Sequence, residues 1–114
     1  MGIGPFVVGP AVSRKIGISA MSHLAINANV FQTAEWARAK GLYNDVYETT
    51  EDLDRAVYDL ADYLLFTNPS AQSALKEGFW EGCQDWDDKL EKRAEMSGQL
   101  VLSAFTKKAL AKYS

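Results

Sequence analysis

The sequence predicts a mainly α fold of about five or six helices, with at most one short strand. Three observations carry that expectation. Leu53, Ala56, Val57, Leu60, Ala61, Leu64 and Leu65 recur at i, i+3, i+4, i+7, i+8, i+11 and i+12, the spacing of one buried helical face. Helix-start residues stand ahead of several apolar runs: Thr33, Thr49 or Thr50, Asn68 before Pro69, and Ser103. Acid precedes base along Asp85–Arg93, which suits i,i+4 pairs such as Asp85 with Lys89 and Asp88 with Lys92.

The 114 residues suit one domain with a modest core. The chain reads as a single helical domain over 1–114: a loop and short helix over 1–17, a helix pair and extended segment over 18–50, and C-terminal helices over 51–114. The 47% hydrophobic content is that of a globular protein. A net charge of −3 argues against nucleic acid as a partner, because a polyanion needs a basic footprint. Cys83 is the one cysteine, so no internal disulfide forms and a reducing, cytoplasmic setting is expected. No apolar run reaches the roughly 18 residues that would span a membrane, and no Cys/His cluster has the spacing of a metal site.

The opening segment, Gly2 to Pro10, is apolar and rich in turn residues, and it reads as a loop that packs against something else. It lacks the basic region of a signal peptide. Phe6 stands where a myristoylation signal wants Ser or Thr. Gly2-x-Gly4 lacks the third glycine of a dinucleotide loop, since Val7 stands there. Pro10 or Ala11 opens a short helix that ends at Gly17, and Ser19 caps a second through about Val30. On it, His23 reads as a packing or surface residue rather than a catalyst.

The next stretch, Phe31 to Val46, is a short helix with both ends marked. Thr33 is the N-cap and Glu35 faces the positive end of the helix dipole. Arg38 and Lys40 lie in the last turn, and Gly41 supplies the left-handed stop, after which Leu42 folds back on Ala37 or Ala39. Leu42 to Val46 continues in extended form. Further on, one long helix is expected from Pro69 past Leu90. In it, Gly78-x-x-x-Gly82 would form a smooth patch for a neighbouring helix, and Gly98 would break the run. Ser103 caps a last helix holding Ala104, Phe105, Lys107, Lys108 and Leu110.

The pattern Ala34-x-x-Ala37-x-x-x-Gly41-Leu42, behind a Thr cap, resembles the C-terminal portion of the enoyl-CoA hydratase/isomerase (crotonase) family, with Tyr43 in place of that family's Val. Arg14-Lys15-Ile16-Gly17 is similar to its Arg-x-hydrophobic-Gly, although the loop before it departs from the family, reading Pro5-Phe6-Val7-Val8-Gly9. The Asn68-Pro69 step and Ala104-Phe105-Thr106-Lys107-Lys108 are similar to the family's Ser/Asn-Pro and closing Ala-Phe-x-x-Lys. The resemblance covers nearly all of this chain but half, or less, of a family member. It implies the C-terminal helical part of a crotonase-like fold, which closes over a coenzyme A thioester substrate and builds an oligomer interface. It also implies that Phe105 lies against the adenine and Lys108 faces the 3′-phosphate of coenzyme A. The family's oxyanion hole and catalytic glutamates belong to an N-terminal half whose motifs are absent from this sequence, so the chain by itself has no catalytic residues.

Two further readings are open. One is a free-standing helical module that self-associates or binds a partner without catalysis. The other is a small acyl-CoA-binding protein that uses the last helix. Self-association is expected under each, because the apolar opening segment and the helix stripes would otherwise face water.

Overall fold

A computed structural model describes residues 2–112; Met1, from the opening loop, and the last two residues lie outside the described part. Six helices follow one another: α1 (Gly9–Ile26), α2 (Ala34–Ala39), α3 (Thr50–Leu65), α4 (Pro69–Phe79), α5 (Trp86–Val101) and α6 (Ala104–Leu110). No strand occurs among the described residues, and the expected mainly α fold of five or six helices is the observed one. Residues 42–44 form bends and residues 45–47 are irregular, with no strand. The chain divides into two compact units. Unit 1 comprises residues 1–43 and 85–114; unit 2 comprises residues 44–84.

Unit 1 is built around α1 and α2. Within α1, Gly17 leaves helical geometry at φ 77°, so the chain turns there between two helical stretches, where the short first helix was expected to end. The second stretch stops at Ile26, four residues short of Val30. Ile16, Ala20 and Met21 are buried, and Val12, Leu24, Trp36 and Leu42 pack against them. Helix α2 has the predicted ends: the Thr33 hydroxyl accepts from the Trp36 N–H at 3.1 Å, and Gly41 takes φ +80°. The Leu42 N–H then donates to Ala37 O at 2.9 Å, which folds Leu42 back onto the core. Lys15 Nζ reaches Leu42 O at 3.0 Å and ties the turn to α1.

The opening loop finds part of its packing in this same unit. Arg93 on α5 donates to Phe6 O at 3.2 Å, across 87 residues of sequence. A Cβ at Gly2 would meet Phe105 Cδ1 at 2.7 Å, so the backbone of the opening segment lies directly on α6. Helix α5 starts at Trp86, with Asp85 and Lys89 paired at 3.0 Å as their spacing predicts. It runs through Gly98 to Val101, so the expected break at Gly98 does not occur. An interior glycine costs a helix about 1 kcal/mol, too little to end one whose next turn still closes its bonds, as Leu102 N–H to Gly98 O does at 3.3 Å.

Unit 2 holds α3 and α4. The Thr49 hydroxyl caps α3 by accepting from the Asp52 N–H at 3.1 Å and donates to Asp52 Oδ2 at 2.8 Å. Asn68 caps α4, with Pro69 at the first helical position. The long helix expected from Pro69 past Leu90 is instead two. Helix α4 ends at Phe79, Gly82 adopts φ +78°, and α5 begins only after it. Gly78-x-x-x-Gly82 is therefore a helix end rather than a smooth helical patch.

Neither α3, α4 nor α5 buries a single residue. The accessible surface is 9306 Å². A compact monomer of 12.6 kDa would expose roughly 6,200 Å². Two compact bodies of the sizes of the units, taken apart, would still expose only roughly 7,400 Å² by the same scaling. Apolar side chains contribute to it: Leu53, Val57, Leu60 and Leu64, the stripe that should be the dry face of α3, are 44–57% exposed.

Candidate functional site

Helix α6 carries the residues that the sequence singles out. It begins where the Ser103 hydroxyl accepts from the Thr106 N–H at 3.3 Å and donates to Leu100 O at 2.7 Å, which joins the end of α5 to the first turn of α6. Thr106 is fully buried. That burial fixes the rotation of so short a helix. Phe105 and Lys108, three residues apart, are then neighbours on the helix surface, with one edge of the Phe105 ring against the backbone at Gly2. Phe105 is 71% exposed and Lys108 is exposed. A flat exposed ring offers a stacking surface for a planar group, and an ammonium group one turn along offers a charge for an anion.

A second feature was not legible in the sequence. In unit 1 a cleft of about 660 Å³ opens between the two stretches of α1 and the start of α5. Phe6, Ile18, Met21 and Trp86 supply apolar walls, and Lys89 and Arg93 stand among its lining residues. Both cations are already engaged, Lys89 with Asp85 at 3.0 Å and Arg93 with Phe6 O at 3.2 Å. The Lys89 hydrogen bond, with its charge, holds the Asp85 carboxyl below its ordinary pKa. Residues 6 and 93 meet only through the tertiary fold, and no spacing announces them. Phe105 and Lys108 do not line this cleft.

His23 is exposed beside α2. Its ring lies 6.1 Å from that of Trp36, and the Gln32 amide nitrogen is 3.1 Å from His23 Nε2. Cys83 is half-buried and unpaired by any disulfide. Among the described residues, no three His, Cys, Asp or Glu side chains converge as a metal would require. No helix among them is long and apolar enough to cross a membrane. No family model matches the chain, and no curated protein or solved structure matches it.

Proposed function

We propose that the chain is the C-terminal helical part of an enoyl-CoA hydratase or isomerase. In this reading it contributes closure over coenzyme A and oligomer contacts to a complete enzyme that hydrates or isomerises an enoyl-CoA thioester, and it has no catalytic residues of its own. The observation that supports this most is that α3 and α6 are well-capped helices with apolar faces left in water. Helices patterned to be half-buried, and not buried here, fit a larger body.

The roles follow from the α6 geometry. Phe105 stacks on the adenine, and Lys108, one turn along, holds the 3′-phosphate as a point charge. Proton transfer and enolate stabilisation need positioned carboxylates and paired backbone N–H groups, which the N-terminal half supplies as the chain's missing partner. The setting is cytoplasmic, where Cys83 stays a thiol.

The DNA upstream of the Met1 codon tests this reading. An in-frame segment encoding a strand-rich half with a glycine-rich oxyanion motif is expected, and an in-frame stop codon immediately upstream would overturn it. In the complete enzyme, Lys108→Ala should raise KM for the thioester about tenfold with kcat little changed, as for loss of a charge-assisted bond made equally in ground and transition states. A fall in kcat at constant KM would reject the binding role.

The exposed apolar surface also favours a second reading, a self-associating helical module without catalysis. That module would give no heat of binding when titrated with acetyl-CoA.

A further inference from the structure

Charge is divided unevenly between the two units. Unit 2 holds nine acidic side chains against two basic ones, and unit 1 holds ten basic against six acidic. The contrast sharpens at two helices. Helix α3 carries Glu51, Asp52, Asp54, Asp59 and Asp62 against Arg55 alone, around its exposed stripe of Leu53, Val57, Leu60 and Leu64. After Glu95 the sequence has no acidic residue, yet it carries Lys107, Lys108 and Lys112. This same segment exposes Leu102 at 69% and Phe105 at 71%. Both surfaces are apolar at the centre and charged around it, with opposite signs.

We propose that the chain pairs with a second copy of itself through two equivalent contacts, in each of which the α6 end of one copy covers the α3 stripe of the other. The proposal rests on the second, self-association reading above, in which Phe105 and Lys108 face another copy instead of a coenzyme, and it names the surfaces. Like-with-like pairing is disfavoured: α3 on α3 sets acid against acid, and α6 on α6 sets lysine against lysine. The cross pairing joins opposite signs, and a two-fold axis satisfies both contacts at once, leaving no open end. The area also fits. The chain exposes roughly 1,900 Å² beyond what two compact bodies would, against about 800 Å² per partner for a stable interface. At each contact Leu102 and Phe105 meet Leu53, Val57, Leu60 and Leu64. Lys108 and Lys112, on the Phe105 side of the segment, approach Asp54 and Asp59, which flank the stripe on its two edges.

Sedimentation equilibrium of the full chain at low salt, with two charge-reversed variants, tests this. At the contact positions, Lys108→Glu with Lys112→Glu sets acid against acid, and Asp54→Lys with Asp59→Lys sets lysine against lysine. All four side chains are exposed, and circular dichroism checks that each variant stays helical. Each variant alone should dimerise at least about tenfold more weakly than the parent, while a 1:1 mixture should recover a heterodimer of near-parental affinity, because acid then faces lysine at the contact positions of both contacts. A dimer indifferent to both reversals, or a mixture that fails to pair, would overturn this pairing and leave the broader self-association reading standing. A parent chain that stays monomeric at every concentration would overturn both.

Discussion

Gly41 shows how much one residue can settle. At φ +80° it holds a conformation that costs an L-residue strain, while a Cβ there would meet only Lys15 O at an ordinary 3.5 Å. Gly41→Ala should therefore cost about 1 kcal/mol by backbone strain rather than by a clash, measured as a lower midpoint in urea denaturation. Asp85 makes a different claim. Because its pKa is lowered in the folded chain by the hydrogen bond from Lys89, its contribution is present above the ordinary carboxylate range and is lost as pH falls through the lowered value. An NMR titration should find the Asp85 pKa returning toward the ordinary value in Lys89→Ala. No movement would show that the pair does not govern it.

At the scale of the element, caps explain most of what forms. Thr49, Asn68 and Ser103 each accept a hydrogen bond from an amide of the first turn. Thr49→Ala should destabilise α3 by about 1 kcal/mol and speed amide exchange in its first turn. These starts were legible because the chemistry is local: a hydroxyl or amide oxygen three residues ahead of an apolar run has one main use. The start and stop of α2, from Thr33 to Gly41, could be read for the same reason.

Glycine was the less legible signal, because its effect depends on conformation and not on identity. Gly82 is left-handed and ends a helical run, whereas Gly98 is helical and is passed over. Nothing within a few residues distinguishes the two. The cleft beside Arg93 was hidden for another reason, since its walls come from positions more than 60 residues apart and only the fold joins them. Phe105 and Lys108 were picked out by resemblance, and what the structure adds is that both stand in solvent on one short, well-anchored helix.

For the molecule as a whole, the decisive quantity is uncovered apolar surface. Among the described residues the buried hydrophobic core consists of Ile16, Ala20, Met21 and Ala37, while Leu60, Leu65, Phe66, Leu102 and Phe105 are each more than half exposed. Four buried apolar residues stabilise a chain of this length very little against the entropy of ordering it. If a second copy covers the remaining faces, as proposed, that association adds stability, and the midpoint of thermal unfolding should rise with protein concentration. The proposed function has the same physical root: in that reading these helices hold a coenzyme and bind one another, and the groups that polarise a thioester come from the rest of the enzyme. The most direct measurement is the rate at which the purified chain alone hydrates crotonyl-CoA. The account predicts a rate no greater than that of buffer, and turnover at an enzymatic rate would contradict it.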